Sequence, residues 1–296
     1  MDVIKIGGAE GVAFRSVCED LAVLWRNGYR FVIVHGGSGE TNRLGEALGR
    51  PAEFVTSVSG QTSRRTDRET LEVFAMATAL VNRGIVEQLQ QLGVSALGLS
   101  GMDGRMIVAR RKATIRVIKN GRPLLLRDEW TGVPERVDAA LLRLLGEQGY
   151  LPVVAPLGVS ECGEMLNLDG DRAAAAVAGA LHAHSLVILT NVAGVMRRFP
   201  DETTLIRRVA ADELETLLEM VAGRMRKKIL GAGEALKNGV GRVIIGDGRK
   251  PCPVSTALAG EGTLIECAAG RPIAGVPDSA EALSRSGEEI DVVATN

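Results

Sequence analysis

Aromatic side chains are scarce in this chain, with five Phe, two Tyr and two Trp among 296 residues. The shortage argues against the stacking platforms that bind single-stranded nucleic acid, and it requires an aliphatic core. Histidine is scarcer still: His35, His182 and His184 are all there is. His182 and His184 lack the spacing of helix-borne ligands, so no metal centre built from protein side chains is expected. The four cysteines, Cys18, Cys162, Cys252 and Cys267, form no C-x-x-C pair. That points away from a zinc site or a disulfide framework and toward scattered thiols in a reducing compartment. Neither sign of charge dominates; 35 Lys+Arg against 36 Asp+Glu leaves a net charge of -1, which argues against a general polyanion binder. No uncharged apolar run reaches the roughly 18 residues of a membrane span. The N-terminus, Met1-Asp2-Val3-Ile4-Lys5-Ile6, reads as a strand and not as a signal peptide. These absences together predict a cytoplasmic protein that binds neither membrane nor nucleic acid.

What is present is aliphatic and glycine-rich: 46% of the residues are apolar and 36 are Gly. Short β-rich runs, many apolar on both faces, are expected at Val3–Ile6, Arg30–Val34, Ala96–Leu99, Leu151–Ala155, Leu186–Thr190 and Arg242–Ile245. Helical patterns near 12–27, 40–48, 66–91, 136–147, 171–183, 210–221 and 226–238 alternate with them. This order predicts an α/β protein, a three-layer αβα sandwich around a mainly parallel central sheet. Residues 105–127 break the alternation and read as a small β-hairpin insertion turning at Asn120-Gly121. From 101 to 127 the chain carries eight cations (Arg105, Arg110, Arg111, Lys112, Arg116, Lys119, Arg122, Arg127) against one acid, Asp103. From about 269 a polar tail of small residues runs to Asn296, with one short helix expected near Ser279–Ser284 and disorder or loose docking elsewhere.

Six segments carry candidate chemistry. Lys5-Ile6-Gly7-Gly8 and His35-Gly36-Gly37-Ser38 each end a strand in glycines, where ligands of open parallel sheets bind and backbone N–H groups can approach an anion. Neither matches a P-loop or a dinucleotide fingerprint. His35 reads either as a base or as a histidine packed beside the turn. In Ser63-Arg64-Arg65-Thr66-Asp67, either arginine could hold a carboxylate bidentately, or the pair could be solvated with Thr66 or Asp67 as an N-cap. Asn167, Asp169 and Asp171 crowd the start of an Ala-rich helix, and capping accounts for only one acid. Thr190-Asn191-Val192-Ala193-Gly194-Val195 follows another apolar strand. Arg224, Arg226, Lys227 and Lys228 crowd the start of a helix, where cations oppose the dipole unless an anion lies nearby.

Taken in order, these segments resemble the amino acid kinase family over residues 1–267. Within it the likeness is to the acetylglutamate kinase group, and there to the carrier-dependent aminoadipate kinases of lysine biosynthesis. Lys5 to Gly11, His35-Gly36-Gly37-Ser38 with Thr41-Asn42, Leu99 to Gly104, and Gly246-Asp247-Gly248-Arg249 carry that closer likeness. The resemblance implies ATP- and Mg2+-dependent phosphorylation of a side-chain carboxylate, with the substrate's amino group blocked by linkage to a small acidic carrier protein. It makes Lys5 and Lys228 the groups that neutralise the phosphoryl in transfer, with Asp171 orienting both. Gly8, Gly36, Gly37, Arg64 and Asn167 would bind the acyl substrate. Asn191, Val192, Gly194, Val195 and Met196, with Met220 and Ala222, would line the nucleotide. It further implies an acyl-substrate N-lobe (1–170), an ATP-binding C-lobe (171–268) and a homodimer through N-lobe helices. Arg110, Arg111, Lys112, Arg116 and Lys119 then become candidate docking residues for the carrier. Acetylglutamate kinase, a carrier-linked glutamate kinase, and a non-catalytic nucleotide sensor on the same fold stay open as alternatives.

Overall fold

The computed structural model describes residues 1–8, 12, 14–58, 60, 62–119 and 122–267. Ala9-Glu10-Gly11 of the first motif, the Asn120-Gly121 turn, the side chain of Lys119 and the tail expected from 269 lie outside the described residues.

An eight-stranded sheet runs through the chain in the order Arg208–Ala210, Thr263–Glu266, Arg242–Asp247, Ser185–Thr190, Asp2–Ile6, Phe31–His35, Leu151–Ala155, Ala96–Ser100. Its neighbours are parallel except that Thr263–Glu266 runs against Arg242–Asp247. The central strands are buried along their whole length and rich in Val, Ile and Leu, as a sheet covered on both faces demands. On one face, helices Gly170–Leu181 and Gly223–Lys237 pack their Ala173, Ala174, Ala178, Ile229 and Ala232 against Val3, Val32, Ile188 and Val243. On the other, helices Phe14–Arg26, Arg68–Gln91 and Pro253–Leu258 cover Ile4, Ile6, Ile33, Leu189 and Ile244. The fold is the αβα sandwich that the alternation predicts. Its aliphatic core holds few ring contacts, such as Trp25 edge-on to Phe31 with centroids 5.5 Å apart.

The basic insertion is not one hairpin. Ile107–Arg111 closes a small barrel with Thr131–Val137, Met165–Leu168 and Leu157–Val159. Thr114–Lys119 and Arg122–Arg127 pair antiparallel, and Phe54–Ser57 and Thr62–Arg64 extend that pair into a four-stranded sheet. The partner strands are three to seven residues long; Thr62–Arg64 and Thr131–Val137 show no regular alternation, Leu157–Val159 is buried throughout, and Met165–Leu168 alternates over only four residues, too short a run to mark a strand. The strand at 131–137 also delays the helix expected from 136 until Ala140. Among the described residues, no helix is long and apolar enough to cross a membrane.

Candidate active site

Side-chain alternation fixes where Lys5 points. Val3 packs beneath helix Gly170–Leu181, and Lys5, two residues on, faces the same layer. There its Nζ lies 2.7 Å from Asp171 Oδ1, and Lys228 Nζ, from helix Gly223–Lys237, lies 3.0 Å from Asp171 Oδ2. The three side chains are 6%, 10% and 12% exposed. Asp169, not Asp171, caps the helix, accepting the Asp171 and Arg172 N–H groups at 3.0 and 3.2 Å. Asp171 is therefore free to bridge the lysines. Burial works against its charge, but Lys228 and Lys5 overcome that and hold its carboxyl well below the usual carboxylate range. Burial also lowers the Lys228 ammonium, against the pull of Asp171. Two ammonium groups against one carboxylate leave a surplus positive charge in a nearly dry place, which a bound polyanion would neutralise.

The two glycine turns close over this triad. Gly36 N–H donates to Ile6 O at 2.9 Å, Gly39 N–H to Gly8 O at 2.7 Å, and Ser38 Oγ to Gly8 O at 3.1 Å. A Cβ on Gly8 would lie 2.3 Å from Gly37 N, so glycine is required there. Gly170 sits at the same place, with the point of its missing Cβ 3.6 Å from Lys5 Cε. Gly37 precedes helix Ser38–Ala47 without a side-chain cap, which leaves the helix start facing the site as an anion-binding end.

Arg64 and Arg65 part company. Arg65 pairs with Glu53 at 3.0 Å. The Arg64 guanidinium reaches the second glycine turn, donating to Asn42 Oδ1 at 2.5 Å and to Ser38 O at 3.2 Å, with Phe54 under it at 5.2 Å. Asn167 Nδ2 donates to Thr66 Oγ1 at 3.0 Å, and no described residue donates to its Oδ1. Arg64 and Asn167 thus offer a fork and an acceptor on the N-terminal side of the triad.

On the other side, the stretch from Asn191 is tied down by Val195 N–H to Thr263 Oγ1 at 2.9 Å and Ile206 N–H to Val195 O at 2.8 Å. Val195 and Met196 are buried in the C-terminal core, so any contact they make with a nucleotide would run through their backbone. Met220 is exposed, and Ala222 leads into the helix that carries Lys228. A cavity of about 290 Å3, lined by Arg207, Asp247, Lys250 and Glu261 among others, holds none of Lys5, Asp171 and Lys228 and does not mark the reaction centre.

His35 is packed, not poised as a base. It is fully buried, with Nδ1 donating to Gly36 O at 2.9 Å and Nε2 accepting from Asn82 Nδ2 at 3.1 Å. Burial, opposed by the bond to Gly36 and reinforced by Lys5, pushes it down to about 4. Between pH 6.5 and 4 the unfolded chain therefore takes up the proton first, so stability present above 6.5 is lost as pH falls through that window. Urea unfolding of His35→Gln across this range is expected to show a flatter acid slope than the wild type. An unchanged slope would refute the assignment.

Sequence reasoning missed Glu129 and the bridging part of Thr66. Glu129 is one of two adjacent acids, with Asp128, between two strands, and its partner lies 63 residues away. No local pattern marks it.

The chain belongs to the amino acid kinase family, whose profile matches residues 2–247. Among curated relatives it is similar to the [LysW]-aminoadipate kinase of Deinococcus radiodurans, 52% identical over 266 residues that cover 90% of this chain and 91% of that one. It is also similar to the [LysW]-aminoadipate kinase of Thermus thermophilus, 46% identical over 268 residues, 90% of this chain and all of that one. Among solved structures, N-acetylglutamate synthase from Neisseria gonorrhoeae superposes with a TM-score of 0.72 at 30% identity. That match covers 90% of this chain, which spans only 59% of that longer protein. Carbamate kinase from Giardia, at 16% identity and a TM-score of 0.65, shares the fold.

Proposed function

We propose that the chain transfers the γ-phosphoryl group of ATP to the side-chain carboxylate of 2-aminoadipate held by its blocked amino group on a small carrier protein, in lysine biosynthesis. The observation that carries this reading is Asp171 bridging Lys5 and Lys228 beneath the two glycine turns. A carboxylate oxygen attacks the γ-phosphorus, the bond to the oxygen shared with the β-phosphate breaks, and ADP leaves. The acceptor is already ionised, so no base is needed, which agrees with a packed His35. Catalysis is then positioning and charge stabilisation, which two lysines held rigidly by one acid can supply. Asp171 is engaged by both lysines, so Mg2+ would be left to the β- and γ-phosphates and water, where it neutralises charge.

Gly8, Gly36 and Gly37 offer their backbone to the transferring group, Arg64 the α-carboxylate fork and Asn167 Oδ1 an acceptor for the blocked nitrogen. Asn191, Val192 and Gly194, with Met220 and Ala222, face the nucleotide. The acyl substrate belongs to residues 1–170 and ATP to 171–268. The protein would work in the cytoplasm as a homodimer, a pairing supported by Met76 and Leu80, half-exposed apolar residues on helix Arg68–Gln91.

For the carrier, the five candidate cations separate. Arg110 pairs with Glu135 at 2.6 Å, and Arg111 stacks 3.5 Å over Trp130 and reaches Asp128 at 3.2 Å. Arg116, with its neighbours Arg122 and Arg127, makes no ion pair with a described residue and stays available to an acidic partner; Lys112 instead directs its charge toward Glu129 and Asp169. Arg116→Glu with Arg127→Glu is expected to raise the carrier-substrate KM by about ten-fold and to leave turnover of a free acetylated analogue unchanged. Equal loss on both substrates would contradict the docking assignment.

The reading is tested by ADP release with ATP and Mg2+ on three acceptors: carrier-linked aminoadipate, carrier-linked glutamate and free N-acetylglutamate. Fast turnover on carrier-linked aminoadipate alone supports it. Efficient turnover of free N-acetylglutamate with no gain from the carrier would replace it with a free-metabolite kinase.

A further inference from the structure

Glu129 lies between strands Arg122–Arg127 and Thr131–Val137 and is 1% exposed, yet the reaction as described gives it no part. Its two carboxylate oxygens accept the Thr66 N–H at 3.2 and 3.3 Å. Thr66, itself fully buried, distributes that hold. Its Oγ1 accepts from Asn167 Nδ2 at 3.0 Å and donates to the Arg64 carbonyl at 3.4 Å. Its own carbonyl accepts the Trp130 N–H at 2.7 Å, and the Trp130 carbonyl accepts the Asn167 N–H at 2.9 Å. Arg111 closes the circuit from outside, donating from Nε to the Glu129 carbonyl at 2.8 Å while stacking on Trp130. Both groups assigned to the acyl substrate, Arg64 and Asn167, are therefore joined to one buried acid through one threonine.

We infer that Glu129 is a positioning residue for acyl-substrate binding, holding Thr66 and through it Arg64 and Asn167 in the geometry the substrate meets. The inference rests on the acyl-substrate reading of that arm. An ionised carboxylate accepts stronger hydrogen bonds than a neutral acid does. Burial pushes Glu129 up to about 7, against the Thr66 N–H, the Thr131 hydroxyl, Arg65 and Lys112, which favour its charge. Those two cations face it from the segment before helix Arg68–Gln91 and from the end of strand Ile107–Arg111. Beyond them, Glu53 and then Asp67 act on Arg65, and Arg172, Asp169 and Lys227 act on Lys112. The grip on Thr66 accordingly tightens as pH rises through about 7.

Glu129→Gln keeps the shape and removes the ionisation. At pH 8 its KM for the acyl substrate is expected to rise about ten-fold, the loss of one charge-assisted hydrogen bond, with kcat and the ATP KM within about two-fold. The wild-type kcat/KM for the acyl substrate should climb through pH 7 and that of the variant should not. Added to Asn167→Ala, Glu129→Gln should cost less than it does alone, because it acts partly through that residue. If Glu129→Gln does not fold, Thr66→Val, which removes only the hydroxyl bound to Asn167, carries the same KM expectation. An unchanged acyl KM and pH profile, or equal rises in both KM values, would overturn the inference while wild-type turnover left the functional reading intact. Absence of turnover by the wild type on any acyl substrate would overturn both.

Discussion

Lys228→Met is expected to lower kcat by roughly 10²- to 10³-fold while leaving the KM for ATP within a few-fold, because its ammonium matters most where charge develops in transfer. Lys5→Met should behave alike, since the two Nζ atoms sit on the same carboxylate at 3.0 and 2.7 Å. Asp171→Asn goes further. It leaves two buried ammonium groups facing each other without their acid, and breaking such a buried pairing costs about 3–5 kcal/mol of stability. Steady-state kinetics and urea unfolding of the three variants separate these effects: the lysine variants lose rate first, the aspartate variant rate and stability together. The triad also fixes an acid limit. The Asp171 carboxyl is held below its ordinary value of 3.8, so its stabilising charge is complete above that pH and is lost only as pH falls through the lower folded value. Full activity in both lysine variants would remove the site from this part of the molecule.

Gly8→Ala is the second large effect. The added carbon would lie 2.3 Å from Gly37 N and 2.4 Å from Gly36 C, both backbone atoms of a turn anchored by hydrogen bonds to Ile6 and Gly8. No side chain can swing aside, so the two turns must separate. A displacement of that size at the transferring group is expected to lower kcat/KM by about 10²-fold or more. Gly7→Ala, whose nearest new contact is the Leu189 carbonyl at 3.1 Å, should be milder in both kinetics and melting temperature. If Gly8→Ala and Gly7→Ala prove equally mild, the close approach of the turns has no functional weight.

How far these features can be read without coordinates depends on their range. The central strands are legible because Val, Ile and Leu fill both faces, and the helix starts at Asp67 and Asp169 because capping is local. The glycine turns are legible one at a time; their contact is not. Lys5, Asp171 and Lys228 meet only because alternation in the first strand points Lys5 at one layer and two helices of that layer supply the others. Resemblance named them as a set, and local pattern could not. The basic insertion misleads for a physical reason: one run of cations is divided between a barrel strand, where Arg110 and Arg111 find acids, and an outer sheet, where Arg116 meets none among the described residues. Glu129 is illegible altogether, because the N–H its carboxylate holds belongs to Thr66, 63 residues away, and Thr66 in turn is bound by Asn167, 101 residues from it.

The measurement that bears most directly on the central claim is a trap for the product. The protein would be incubated with ATP, Mg2+, carrier-linked aminoadipate and hydroxylamine, and the carrier then examined by mass spectrometry. An acyl phosphate made at the Lys5–Asp171–Lys228 site is captured as a hydroxamate on the aminoadipate side chain, at a rate that follows ADP release and collapses in Lys228→Met. ADP release without hydroxamate, or hydroxamate undiminished in Lys228→Met, would contradict the account.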